Sequence, residues 1–178
     1  PFARAQTTQA EPRDPNFISG PGGFGPEKFV VGQGLWPYVI FYENQPDASA
    51  PAQEVVVSEQ LDDNLDLSTF QLGRFGFGDV VVNVPAGRQF YQTRIDYRSE
   101  RGVFVDVTAE LKVVTRTVMW TFTSIDPATL DLPANILTGF LPPNVTAPEG
   151  DGFVSYFIRP NHDLRTDVSI NAQASIVF

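Results

Sequence analysis

The chain has 178 residues, 42% of them apolar, and 21 acidic against 12 basic side chains give a net charge of −9. Such an acidic balance argues against nucleic acid and anionic membrane surfaces as partners, because both are polyanions that call for a basic footprint. Cysteine is absent, which excludes disulfides, thiolate chemistry and Cys–zinc sites together, and no apolar run reaches bilayer-spanning length. The length suits one domain with a substantial core. The 14 Gly and 15 Pro fit many turns between short strands.

Residues 1–27 are polar and broken by Pro12, Pro15, Pro21-Gly22-Gly23 and Gly25-Pro26, which reads as an extended arm or linker anchored by Phe17 and Phe24. A sandwich domain is then expected over 28–178. Pro37–Asn44 reads as a strand apolar on both faces, as in the middle of a sandwich sheet. A turn over Gln45–Pro51 leads to a strand at Glu54–Gln60, closed by the acidic loop Asp62-Asp63-Asn64. Phe70–Leu72 and Phe75–Val84 form a strand pair or one bent strand, with Gly73, Gly76 and Gly78 marking a bulge or a close backbone approach. Tyr91–Tyr97 alternates, with Tyr91, Thr93, Ile95 and Tyr97 on one face.

The stretch Val103–Ser124 organises the rest. Val103, Val105, Val107, Ala109, Leu111 and Val113 share one face, and Val118, Trp120 and Phe122 resume it after a polar tip at Thr115-Arg116. Folded back, the arms are expected to set Val113 against Val118, Leu111 against Trp120 and Ala109 against Phe122. An isolated hairpin is marginal in water, so this face needs a second sheet. Ile125–Gly152 is a long connection holding five prolines, the kind of loop that often carries function. Phe153–Arg159 and Val168–Phe178 are the last strands, the latter with Val168, Ile170, Ala172, Ala174, Ile176 and Phe178 inward. Helical periodicity is confined to single turns near Ala128 and Asn135. The expectation is an all-β, immunoglobulin-like antiparallel sandwich with an N-terminal arm and one long Pro-rich loop.

Tyr38, Ile40, Tyr42 and Asn44, followed by Val55-x-Val57-x-Glu59-x-Leu61 and Leu65, resemble the strand pair of the conserved-repeat and CARDB-like immunoglobulin-type domains of bacterial surface proteins. Glu59 stands where Asp is usual, and the Gln45–Pro51 connection is lengthened. Phe140–Pro160 with Ala172–Phe178 is similar to an uncharacterised module of very long exported bacterial proteins. The resemblance implies an extracellular building block for adhesion, surface layering or spacing, without catalytic residues.

Asp62, Asp63 and Asp66 cluster after a strand, Glu43 and Asp47 flank a neighbouring turn, and Glu149 and Asp151 sit in a Gly-rich loop. Calcium wants six to eight oxygens of this kind, so these are the candidate metal ligands. None has the spacing of a dedicated calcium loop, and Asp and Asn favour turns in any case. Trp36 and Tyr38 are the candidate glycan-stacking residues, with Phe75, Phe77 and Phe140 more distant alternatives; aromatics so placed also serve as core plugs. His162 stands alone, with no G-x-S-x-G elbow or second His to complete a triad or metal site. Asp106 and Glu110 share an outward face beside Lys112 and read as a solvated sheet surface rather than a glycosidase pair. Asn144-Val145-Thr146 fits the glycosylation pattern, which matters only in a host that performs it.

The first and last residues fall within strand-like patterns, which reads as a segment of a longer chain or a processed subunit. The patterned strand Val168–Phe178 and the extended residues 1–10 suit donor-strand pairing between copies, which generates open filaments. The expected function is non-enzymatic: a structural module of an exported bacterial surface protein or fibre, whose partners are its own copies or neighbouring modules. A glycan-binding adhesion module is the alternative.

Overall fold

The computed structural model describes residues 2–7, 16–24, 26, 29–31, 34–165 and 168–178. In chain order its strands are β1 (Phe2–Thr7), β2 (Phe17–Ser19), β3 (Phe29–Val31), β4 (Trp36–Glu43), β5 (Glu54–Gln60), β6 (Leu65–Phe77) and β7 (Val80–Val82). There follow β8 (Phe90–Tyr97), the single helical turn α1 (Arg98–Arg101), β9 (Val103–Lys112), β10 (Thr117–Ile125), β11 (Asp151–Pro160), β12 (Ser169–Ala172) and β13 (Ala174–Val177). Sheet I has the order β13-β5-β10-β9-β8 and sheet II the order β2-β4-β11-β6-β7; a small third sheet runs β12-β1-β3.

Sheets I and II pack face to face as a β-sandwich, because each strand turns alternate side chains to a shared interior. Val105, Val107, Trp120 and Phe122 of sheet I meet Ile40, Phe75, Val154 and Tyr156 of sheet II, all at most 1% exposed. Phe122 sits at the hub of an aromatic cluster, edge-on to Phe75 and Phe77 at 5.8 and 6.1 Å and stacked on Phe140 at 5.9 Å. The order β5-β10-β9 is that of strands B, E and D of an immunoglobulin sandwich, and β11-β6 is that of F and C. The outer positions are exchanged: β13, late in the chain, takes the place beside β5, and β4, early in the chain, the place beside β11.

The central hairpin keeps its expected inner face but not its expected register. Val118 faces Leu111, Trp120 faces Ala109 and Phe122 faces Val107, two residues away from the anticipated pairing. The turn takes four residues, 113–116, closed by Arg116 N–H donating to Val113 O at 3.2 Å, with Arg116 in the left-handed region at φ 52°. Val113 and Val114 are thereby left in solvent, at 57% and 99% exposure. Alternation decides which face a residue occupies; only the turn decides register.

β6 is one long strand, and its ladder with β11 slips where Ser155 lies opposite Gly73 and Arg74. A Cβ on Gly73 would overlap Ser155 Oγ, whose hydroxyl donates to Arg74 O at 2.7 Å. The expected last strand is split at Gln173: β12 leaves to pair with β1 in parallel, and β13 alone stays on sheet I. Ile170 and Ala172 are buried, but Phe178 is half exposed. The single turns expected near Ala128 and Asn135 are non-helical, and the one helical turn among the described residues follows β8 instead.

Of the segment read as an arm, Phe17–Ser19 joins sheet II beside β4, and Phe17 stacks on Phe41 at 4.7 Å. Phe24 is 87% exposed and is held by its backbone to Phe29 rather than by its ring. Pro12, Pro15 and Gly25 lie outside the described residues. The long loop is tied down: Gln53 Nε2 donates to Pro133 O, Asn135 O and Thr138 O at 2.9–3.0 Å, and Phe140 and Leu141 are fully buried.

Candidate functional site

β5 turns Val55, Val57 and Glu59 to the interior, so period two carries a carboxyl into the core. Glu59 is 3% exposed and accepts a hydrogen bond from Tyr156 Oη at 2.8 Å. Tyr156 in turn lies in a box of rings, stacked on Tyr38 at 4.9 Å and on Phe70 at 5.4 Å. Burial pushes the Glu59 carboxyl up to about 8, partly countered by the Tyr156 hydrogen bond. It therefore holds its proton at neutral pH, since a carboxylate out of water costs more than a carboxylic acid. Burial, then the neighbouring Glu59, also raises both Tyr38 and Tyr156.

Directly above, the loop after β5 carries Asp62, Asp63 and, at the start of β6, Asp66. These three do not converge. Asp62 Oδ1 accepts from Asn64 N and Nδ2 at 2.9 and 2.8 Å, and its Oδ2 accepts from Asn171 N at 2.9 Å. Asp66 Oδ1 caps Ser68 through N–H and Oγ at 3.0 and 2.7 Å. The cation in this loop is Arg116, whose guanidinium donates to Asp62 O and Leu65 O at 2.6 and 2.8 Å, reaches Leu61 O at 3.4 Å and pairs with Asp63 at 3.2 Å. Carbonyls and a carboxylate grouped in this way are the donor set that calcium would use, here turned onto a guanidinium.

Beside this loop, where β12 parts from β13, an open groove of about 810 Å³ is lined by Ser58, Gln60, Asp62, Asn171, Gln173 and Ser175, among others. Hydroxyls, amides and the carboxylates of Asp62 and Asp63 line it, a set that offers paired donors and acceptors.

The second acidic group divides as well. Asp47 is exposed in its turn, whereas Glu43 and Asp151 lie opposite each other on β4 and β11. Asn144 holds these facing carboxylates together, its Nδ2 donating to Glu43 Oε1 at 2.7 Å and Asp151 Oδ1 at 2.8 Å. Its Oδ1 accepts from Gly150 N at 3.1 Å, which fixes the amide's orientation. Burial and then Glu43 raise the Asp151 carboxyl. With Asn144 9% exposed and so engaged, the glycosylation pattern falls on a structural amide. Among the described residues no three His, Asp or Glu side chains gather as a metal-binding group.

Trp36 and Tyr38 are 3% and 2% exposed, and Phe75, Phe77 and Phe140 are at most 1% exposed. All five plug the core and offer no ring face to a sugar, which corrects the assignment of Trp36 and Tyr38 as a stacking platform. His162 is fully exposed, 3.6 Å from Asp163. Asp106 and Glu110 lie on the outer face of β9, paired with Arg94 at 2.6 Å and Lys112 at 3.3 Å. Arg116 and Tyr156 were not singled out by the sequence as site residues, and Asn144 only as a glycosylation pattern, because their partners lie 51–55, 97 and up to 101 positions away. Glu59 did carry a signal: a charged residue in phase with Val55 and Val57.

No family model, no curated protein and no solved structure matches this chain.

Proposed function

We propose that the chain is a non-enzymatic structural module of an exported bacterial surface protein or fibre, joined to its copies or neighbouring modules by strand edges and the N-terminal arm. The observation that carries this is β1. Its backbone ladders in parallel with β12 and antiparallel with β3, away from the two principal sheets. A strand inserted in this way draws its affinity from main-chain hydrogen bonds, so the same slot accepts the equivalent strand of a neighbour. The acidic charge keeps free chains apart until strands engage. Removing residues 1–7 tests the reading: the truncated chain is expected to keep its β-sheet circular dichroism and to lose end-to-end assembly in electron micrographs. Assembly that persists unchanged rejects the role of β1.

A glycan-binding adhesion module is the second reading, favoured by the groove beside Asp62. Its amides and hydroxyls suit a polyhydroxylated ligand without ring stacking. Asn171→Ala and Gln173→Ala together should abolish binding on a sugar array, and an array with no hits for the native chain ends this reading.

A further inference from the structure

The outer face of sheet II is aromatic where a sandwich normally meets water with polar residues. Phe17, Phe41 and Phe153 stand side by side across β2, β4 and β11, in register with one another. Phe41 and Phe157 are 36% and 37% exposed. On the next strand Gly76 and Gly73 leave room for the two β11 rings: a Cβ would lie 2.8 Å from Phe153 Cε1 and 3.1 Å from Phe157 Cε2.

Along β11 the outward residues are Asp151, Phe153, Ser155, Phe157 and Arg159. This order is symmetric about Ser155 in shape and antisymmetric in charge. The Arg159 guanidinium forms no ion pair among the described residues. The nearest acid across the ladder, Asp66, already caps Ser68. Asp151 and Arg159 stand about 27 Å apart along an extended strand.

We infer that this face pairs with the same face of a second copy, about a twofold axis at Ser155 that runs the two β11 strands antiparallel. Phe153 of each copy then meets Phe157 of the other, and each Asp151 faces an Arg159, twice by symmetry. Two such sheets stack about 10 Å apart, the spacing of any sandwich interior. A second apolar sheet fits better than a sugar chain. Phe17 and Phe41 are only 20° from parallel at 4.7 Å, so each covers the other's ring face. Ser155, the hydroxyl at the centre, is engaged in a bond to Arg74 O on the neighbouring strand. The contact goes beyond the proposed function and is separable from it, because it uses a sheet face and not β1.

Sedimentation of the full chain from micromolar to near-millimolar concentration tests this. A reversible dimer is expected. Arg159→Glu should weaken it about tenfold or more by setting two like-charged pairs face to face. Adding Asp151→Lys to that variant should restore most of the affinity, and exposed Phe157→Thr should abolish the dimer with the circular dichroism unchanged. Deleting residues 1–7 should leave it intact, so failure of one contact is distinguishable from failure of the other. A native chain that stays monomeric throughout overturns the inference, as does a dimer indifferent to Arg159→Glu and Phe157→Thr. A monomer that binds soluble polysaccharide through Phe157 overturns it in favour of a sugar.

Discussion

Outside sheet I, Thr108, Thr121 and Thr123 alternate with charges that find partners on the same face. Arg94 grips Asp106 at 2.6 and 2.7 Å and also lies over Phe104 with Arg98. Outside sheet II stand Phe17, Phe41, Phe153 and Phe157, and Arg159 is left without an ionic partner among the described residues. The central strands of both sheets, β5, β9 and β10 in one and β4, β6 and β11 in the other, bury their inner faces, so the core does not explain the contrast. A strand that alternates polar and apolar has one face for water; one that is apolar on both sides, like Trp36–Glu43, has a second face to cover. Its apolar residues on both faces had suggested a place in the middle of a sandwich sheet, and it lies between β2 and β11. In a two-layer sandwich nothing covers the outside.

The largest effect that sharpens this contrast is a side chain added under the aromatic face. Gly76→Val would drive a Cβ into Val80 O and toward Phe153, and should cost about 3 kcal/mol, read as a lower denaturation midpoint. The matching Thr121→Val on the outside of sheet I should leave the midpoint nearly unchanged. Next comes Arg116→Ala, which strips charged donors from three carbonyls at the end of sheet I and should destabilise by about 2 kcal/mol. A loss below the error of the melt would show that the loop holds itself.

Glu59, the acid that sheet I turns inward, predicts a pH dependence. Its folded value of about 8 lies above the ordinary 4.5, so its contribution is complete below 4.5 and is lost as pH rises toward 8. The slope in that window is on the order of 1 kcal/mol per pH unit. Glu59→Gln should flatten the profile from pH 5 to 8, and an unaltered slope would assign it to other groups. The smallest effects are the last two. Arg94→Gln should leave the melting temperature in place, because surface pairs contribute little. Calcium or a chelator should shift it not at all, because Arg116 occupies the carbonyls of the acidic loop; a clear rise with calcium would contradict that.

Faces were legible in the sequence because period two is local: the inward set of Val103–Ala109 and Val118–Phe122 is the buried set. Registers were not, since a slip of two residues keeps every side chain on its face while moving its partner, as happened to Trp120 and Ala109. The break at Gln173 was equally hidden, because β12 and β13 share one uninterrupted pattern and part only to reach different neighbours. At the candidate site the acidic loop could be located from its composition, but its occupant could not. Arg116 looked like an exposed hairpin tip until the fold brought that tip to residues 61–65.

That guanidinium is a counter-ion fastened to its own chain. A free ion leaves when its surroundings run short or when something else sequesters it, and the loop it organised then loosens. A tethered one cannot be leached away, since its local supply is set by the covalent backbone and not by the medium. The end of the sandwich beside Asp62 is thereby held by a positive charge that the chain itself supplies.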